Sequence, residues 1–171
     1  GFFSILDRSS GQFVDYTIDA PPTSVLEGHT DTLWVGTYCG GLARFDPQTK
    51  QFSYYRHNPD DAYSLSDSRN CVLSVAEDRS GALWVGTGGG LNRYDRETGR
   101  FTHYQHDSSD PYSLSRNNVL SVYLDRSGVL WAGIEFGGIN KLKTGSGSFA
   151  HYRHITGEPN SLSGSIVTSV F

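Results

Sequence analysis

One apolar pentapeptide recurs along this chain at intervals of about fifty residues. The sequence "LWVGT" occupies Leu33–Thr37 and Leu83–Thr87, and the near copy "LWAGI" occupies Leu130–Ile134. Self-similarity at a fixed period of this order indicates a repeat architecture, in which each unit buries its apolar faces against its neighbours. The period therefore constrains the fold more strongly than any single motif does.

The rest of each unit repeats in the same register. A Ser-Val dipeptide recurs at nearly constant spacing, with its valines at Val25, Val75, Val122 and Val170. Each unit contains four short segments rich in β-branched and aromatic residues, of the types "VLSV", "LWVGT", "LNRYD" and "RFTHYQH". Turn sequences such as "DRSG" and "RETGR" separate them. Each unit is therefore predicted to form four strands and no helix.

Four strands in a period of this length are typical of a β-propeller blade. We predict an all-β fold made of blades of four antiparallel strands, with the tryptophans filling equivalent gaps between blades. Residues 1–171 are predicted to contain the end of a preceding blade at 1–19, full blades at 22–57, 71–106 and 118–154, and the first strand of a further blade at 166–171. Because propellers close with roughly four to eight blades, we expect these residues to form an incomplete arc of a larger propeller. The expected partners are the remaining blades, from the parent chain or another protein chain.

Composition and motifs exclude several function classes. The net charge is −4 and no basic stripe is present, so nucleic acid is not an expected partner. No apolar run is long enough for direct membrane insertion of this segment. We find no nucleophile elbow, and no helix follows the glycines at 88–90 to hold a phosphate. The sequence therefore predicts no enzyme activity, no cofactor and no metal.

Residues that recur in every unit are interpreted as structural. Three histidines at equivalent places are expected to cap or bridge blades, three leucines of the "SLS" words to plug the gaps between blades, and two aspartates to cap the "DRSG" turns. These residues are His57, His106 and His154; Leu65, Leu114 and Leu162; and Asp78 and Asp125.

Residues that depart from the repeat are the better candidates for function. In a four-strand meander, the connections between the second and third strands and those between successive blades lie on one face of the disc. This long-loop face is the expected ligand site, because binding residues concentrate on loops of a rigid scaffold. Aromatic and charged side chains there would suit a sugar or an anionic polymer, and the alternative interpretation is that they pack loop against loop. The candidates are Tyr38, Tyr63, Arg69, Tyr112, Arg116, Glu135 and Phe136.

The two cysteines map to the same face. Cys39 lies in a turn of one blade and Cys71 at the start of the first strand of the next, so a disulfide is possible. The alternative is two free, partly buried thiols. A disulfide would fit a location outside the cytoplasm.

The stretch from Leu83 to Gly133, "LWVGTGGGLNRYDRETGRFTHYQHDSSDPYSLSRNNVLSVYLDRSGVLWAG", resembles the two-component regulator propeller repeat. The resemblance implies a sensory β-propeller region of a bacterial two-component-type signalling protein, such as a hybrid histidine kinase. It also implies a location on the periplasmic or extracellular side of the inner membrane. The aromatic and arginine candidates on the long-loop face make a carbohydrate or other small extracellular ligand an expected partner. Two alternatives remain: a structural subunit that docks on other chains, and part of a propeller lyase.

Overall fold

A computed structural model of the protein describes residues 1–7, 10–29, 32–143 and 147–170. Every regular element in these ranges is a β-strand. The strands are β1 (Phe2–Asp7), β2 (Gln12–Thr17), β3 (Pro22–Glu27), β4 (Leu33–Thr37), β5 (Gly41–Asp46), β6 (Gln51–Tyr55), β7 (Val72–Glu77), β8 (Leu83–Thr87), β9 (Gly90–Asp95), β10 (Arg100–Tyr104), β11 (Val119–Leu124), β12 (Leu130–Ile134), β13 (Gly138–Leu142) and β14 (Phe149–Tyr152).

The strands form three four-stranded antiparallel meanders and one hairpin. Blade 1 is β3–β6, blade 2 is β7–β10 and blade 3 is β11–β14, and β1 pairs with β2 ahead of them. The first strand of each blade has a register shift at the same place, after its first residue. The sheets do not close on themselves, so the described residues form part of a β-propeller. The predicted fold class is confirmed.

The glycine of the repeated pentapeptide allows neighbouring blades to approach each other. The first strands β3, β7 and β11 lie closest together between blades, and they therefore mark the inner edge of the arc. A Cβ atom added to Gly36 would lie 2.8 Å from Cγ1 of Val72, and one added to Gly86 would lie 2.9 Å from Cγ1 of Val119. Real Cβ atoms almost never come this close to another atom, so the next blade's first strand requires glycine here.

The tryptophans occupy equivalent places, as the period predicts. Each indole lies next to the tyrosine of its own fourth strand, with ring centroids 5.5–5.9 Å apart; the pairs are Trp34–Tyr55, Trp84–Tyr104 and Trp131–Tyr152. The following blade then covers the first two indoles, which are buried in the apolar cores between blades 1 and 2 and between blades 2 and 3. Trp131 stays partly exposed because it faces the open end of the arc.

The C-terminal segment differs from the prediction of a strand at 166–171. Residues 166–170 form no strand, and Phe171 lies outside the described residues. A first strand needs a second strand of its own blade to pair with, and the described residues after 152 provide none. The segment nevertheless takes the place of a first strand, since a Cβ added to Gly133 would lie 3.1 Å from Cγ1 of Val167.

Candidate functional site

A disulfide joins two blades on the long-loop face. The Sγ atoms of Cys39 and Cys71 are 2.04 Å apart and the Cα atoms 3.8 Å apart. Cys39 lies in the turn between β4 and β5, and Cys71 lies immediately before β7. Because β7 is at the inner edge of the arc, the bond links blade 1 to blade 2 next to the axis.

Two equivalent turns on this face present exposed aromatic rings. Tyr38 is 62% exposed and Phe136 is 58% exposed. Each turn is closed onto the first strand of its own blade: the Tyr38 N–H donates to the Pro21 carbonyl at 2.8 Å, and the Glu135 N–H donates to the Asn118 carbonyl at 3.0 Å. The backbone therefore fixes both turns while their side chains face solvent.

The charged candidates lie close to these turns. The amide of Asn118 donates to Oε2 of Glu135 at 2.6 Å, which orients that carboxylate. The backbone N–H of Arg69 donates to Oδ1 of the buried Asp67 at 3.0 Å. The Arg69 guanidinium covers the turn of blade 2, since a Cβ added to Gly88 would lie 2.8 Å from its Nη2. Arg69 thus lies over the turn equivalent to those of Tyr38 and Glu135.

We call Tyr38, Arg69, Glu135 and Phe136 the inner ring, because each belongs to, or lies against, a turn between the second and third strands of a blade. An exposed aromatic ring offers an apolar face to a ligand, and a guanidinium can pair with a carboxylate or a phosphate. Arg116 is exposed in the connection between blades 2 and 3.

The structure places the other two tyrosine candidates elsewhere. The carbonyl of Tyr63 accepts a hydrogen bond from the N–H of Phe101 on β10, at 2.8 Å, and its ring lies 4.4 Å from the guanidinium carbon of Arg100. Tyr112 is held in the same way on β14, with its ring 5.1 Å from Nζ of Lys143. Fourth strands form the outer edge of the arc, so these tyrosines lie away from the inner ring.

The recurring residues have structural partners. Nδ1 of His57, His106 and His154 donates to the carbonyls of Leu65, Leu114 and Leu162, respectively, at 2.7–2.8 Å. Each histidine therefore closes the connection that follows its own blade.

The turn aspartates each hold an indole. Oδ2 of Asp78 accepts from Nε1 of Trp84 at 2.9 Å, and Oδ2 of Asp125 accepts from Nε1 of Trp131 at 3.0 Å. Oδ1 of each caps its turn by accepting backbone N–H groups at 2.9–3.1 Å, which confirms the predicted capping role. Burial raises the pKa of Asp78, but hydrogen bonds from Ser80 and Trp84 outweigh it and lower the pKa below its ordinary value.

Sequence reasoning missed an ionic cluster on the opposite face. The Glu77 side chain is 4% exposed, and its carboxylate pairs with Nη2 of Arg96 at 2.7 Å. The backbone N–H of His29, from blade 1, donates to the same carboxylate at 2.9 Å. The only signal in the sequence is that Glu77 stands where blade 3 has Leu124. The described residues contain no group of three or more side chains suited to a metal ion.

The fold defines a class: the described residues are part of a β-propeller. Residues 66–89 match the family model described as "Two component regulator propeller", which confirms the resemblance predicted from the sequence over this segment. That match spans the first strand, the turn and the "LWVGT" strand of blade 2. No curated protein matches the chain significantly.

Solved structures of similar fold include two extracellular domains assigned to hybrid two-component systems of B. thetaiotaomicron. One is 26% identical with a TM-score of 0.70 over 84% of this chain, and the other is 23% identical with a TM-score of 0.78 over 98%. PorZ, a surface component of the type-IX secretion system of Porphyromonas gingivalis, shares the fold at 14% identity, with a TM-score of 0.70 over 95% of this chain. This chain spans only 21–25% of the length of those structures. Among the residues that are described here, no helix could cross a membrane.

Proposed function

We propose that the chain is part of the sensory propeller of a bacterial signalling protein and binds a small extracellular ligand, such as a carbohydrate, at the inner ring. The observation that carries the proposal is the exposure of Tyr38 and Phe136 on backbone-fixed turns. Blade 2 has only glycine at the equivalent turn, Gly88–Gly90. Side chains that depart from the repeat and face solvent serve no blade-to-blade packing, and ligand recognition gives them a role.

The disulfide supports a location on the periplasmic or extracellular side of the inner membrane. Disulfides persist in oxidising compartments and are rare in the cytosol. The two B. thetaiotaomicron structures are also extracellular domains. Cys39–Cys71 would keep the turn of Tyr38 in a fixed position relative to blade 2.

We propose that the site acts by binding, without catalysis. Hydrogen bonds within their own turns and loops lower the pKa values of Asp46, Asp95 and Asp107, and none of these aspartates belongs to the inner ring. A ligand that bridges turns of several blades would favour one relative pose of rigid domains over another, which is how a binding event shifts a two-state equilibrium.

Saturation-transfer NMR on the purified chain tests this proposal, with a panel of neutral, uronate-containing and sulfated oligosaccharides as probes. We expect at least one probe to receive magnetisation from the protein, and Phe136→Ser or Tyr38→Ser to remove the effect. Tyr112→Ser is the matched control, because it deletes an equally exposed ring at the outer edge. An effect that Tyr112→Ser removes and Phe136→Ser leaves intact would place binding elsewhere.

A further inference from the structure

The long loops that connect successive blades each cover one place on the outer edge of the next blade. In the loop between blades 1 and 2, the carbonyl of Tyr63 accepts from the N–H of Phe101 on β10 at 2.8 Å. In the loop between blades 2 and 3, the carbonyl of Tyr112 accepts from the N–H of Phe149 on β14 at 2.7 Å. Both phenylalanines are buried, with 4% and 2% of their surface exposed. A loop tyrosine thus satisfies an edge N–H and helps to shield the residue that carries it.

Blade 1 has the same edge without such a loop. Phe52 on β6 pairs with Phe45 in the register in which Phe101 pairs with Tyr94, so the N–H of Phe52 also points out of the sheet. No described residue accepts from that N–H, because only residues 18–21 separate β2 from β3. Phe52 is accordingly the partly exposed member of its series.

A cavity of about 310 Å³ lies at this place, and we call it the rim slot. Its walls come from β2 and from β6 with the turn before it, chiefly from Tyr16, Lys50, Gln51, Phe52 and Tyr54. The ring of Tyr16 packs on Phe45 with centroids 4.8 Å apart, as Tyr55 packs on Tyr94 at 5.0 Å. The hairpin and blade 1 therefore meet as two blades do, and the rim slot is the place that a loop tyrosine fills at the other two interfaces.

Further blades would not fill the rim slot. The connection that reaches blade 1 from the hairpin is residues 18–21, and it already performs the inner part of the loop's task. Ile18 is fully buried with Val35, just as Leu65 is buried with the equivalent Val85. The gap between hairpin and blade is thus closed at depth and open at the rim.

The charges at the rim slot favour an acidic segment. Lys50 lines the slot and takes part in no ion pair among the described residues. Asp19, which also lines it, is paired with Arg56. At the other two interfaces the loop tyrosine lies beside a cation, Arg100 or Lys143. Lys50 offers a cation of the same kind at the rim slot.

The two loops also show which sequence holds such a tyrosine in place. The N–H of Tyr63 donates to Oδ1 of Asp61 at 2.9 Å, and the hydroxyl of Ser64 donates to the Asp61 carbonyl at 2.8 Å. Residues 110–113 repeat both bonds at the same distances. These bonds are local to the pattern Asp-x-Tyr-Ser, so a separate peptide with this pattern can form the same turn with little loss of conformational entropy on binding.

We propose that the rim slot docks a segment of a partner protein that carries the pattern Asp-x-Tyr-Ser. The tyrosine carbonyl of the segment accepts from the N–H of Phe52 at the edge of β6, and its ring lies against Lys50. The aspartate holds the turn and brings negative charge towards the lysine. The proposal does not depend on ligand binding at the inner ring, because the two sites share no residue and lie at opposite edges of the arc.

Titration of the ¹⁵N-labelled chain with a synthetic peptide tests the proposal. The probe is Ser-Ser-Asp-Pro-Tyr-Ser, the sequence of residues 108–113. We expect the amide signal of Phe52 to shift at millimolar peptide, while the signals of Phe101 and Phe149 stay in place because loop tyrosines already bind those N–H groups. The same peptide with alanine in place of tyrosine should bind about tenfold more weakly.

A charge variant and its control test the role of the lysine. Lys50→Gln should weaken binding of the peptide about threefold, the worth of an exposed contact between a cation and a ring. Arg126→Gln removes the same charge from an exposed turn of blade 3 and should leave binding unchanged. An unmoved Phe52 signal, or equal binding of the alanine peptide, would overturn the proposal. A Phe52 signal that shifts with protein concentration alone would assign the slot to a second copy of this chain and would also overturn the proposed partner.

Discussion

The two interfaces between successive full blades share their outer-edge contacts and the glycine–valine contact at the inner edge, but they differ in their covalent and ionic contacts. At both, a leucine from the loop that connects the two blades is fully buried between them: Leu65 at the first interface and Leu114 at the second. At both, a histidine of the following blade donates to the serine carbonyl before that leucine. The outer half of each interface therefore uses the same residues for the same contacts.

The differences lie at the inner edge and on the face of the short turns. The first interface has the Cys39–Cys71 disulfide, and it has the buried carboxylate of Glu77 bound to Arg96. The second has neither, and there the side chain of Arg79 donates to the Arg126 carbonyl between neighbouring turns.

The tryptophan environments show the same contrast. Asp78 holds the indole of Trp84 at the second interface, whereas Gly28 stands at the equivalent position near Trp34. At the first interface the guanidinium carbon of Arg96 lies 5.5 Å from the Trp34 ring instead. The same packing of an indole between two blades is therefore maintained by different contacts at the two interfaces.

Truncating the buried leucines of the connecting loops should produce the largest loss of stability. Leu65→Ala and Leu114→Ala each delete a fully buried side chain, and we expect each to lower the free energy of unfolding by about 2–5 kcal/mol. Urea denaturation followed by tryptophan fluorescence measures the change. Leu162→Ala is the matched control: Leu162 has the same place in its own loop but no blade packs on it among the described residues, so its loss should change stability by no more than about 0.5 kcal/mol. Equal losses at all three leucines would mean that each leucine stabilises its own loop rather than the contact between blades.

Removing the charge of Glu77 should affect the first interface alone. In Glu77→Gln, Arg96 and the N–H of His29 lose a charged acceptor in a buried place, and we expect a loss of about 2 kcal/mol. Glu27→Gln makes the same change at the equivalent, exposed position of blade 1 and should be nearly neutral. Hydrogen exchange of β7 and β11 amides locates the loss, because only the contact of blade 2 with blade 1 should loosen. A loss of similar size in Glu27→Gln would show that general charge, rather than this cluster, is responsible.

The contrast also explains what the sequence could and could not predict. The strands, the positions of the three tryptophans and the turn aspartates follow from the period, because a feature present in each unit must serve the contact that each unit makes. The cluster of Glu77, Arg96 and His29 occurs once among the described residues and joins two blades, so the period does not predict it, and the sequence marks it only by Glu77 in the place of Leu124.

The positions of the candidate site residues show a second limit of prediction from the sequence. Strand order predicts which face of the disc a connection reaches, but it does not predict how far from the axis a residue lies. Tyr63 and Tyr112 belong to connections of the expected face, yet backbone bonds to Phe101 and Phe149 draw them to the outer edge. Those bonds come from the fourth strand of the next blade, so the sequence of the connection alone does not predict them.

The smallest expected effect is a difference in pH dependence between the two tryptophans that an aspartate binds, Trp84 and Trp131, and Trp34, which has glycine at that position. Hydrogen bonds from Ser127 and Trp131 lower the pKa of Asp125, and bonds from Ser80 and Trp84 lower that of Asp78 against its burial. Because both folded pKa values lie below the unfolded value of about 3.9, these carboxylates stabilise the fold above that pH, and the stabilisation is lost as the pH falls through the folded values.

Indole N–H signals in ¹⁵N-correlated NMR spectra report this loss for each tryptophan separately. On acidification below about pH 4, we expect the signals of Trp84 and Trp131 to move before that of Trp34, whose turn has Gly28 in place of the aspartate. Asp78→Asn should shift the Trp84 signal at neutral pH and cost about 1 kcal/mol, because a neutral amide is a weaker acceptor than a carboxylate. If Trp34 moved first or all three moved together, protonation elsewhere would control the acid transition, and the two interfaces would not differ in the chemistry that holds their indoles.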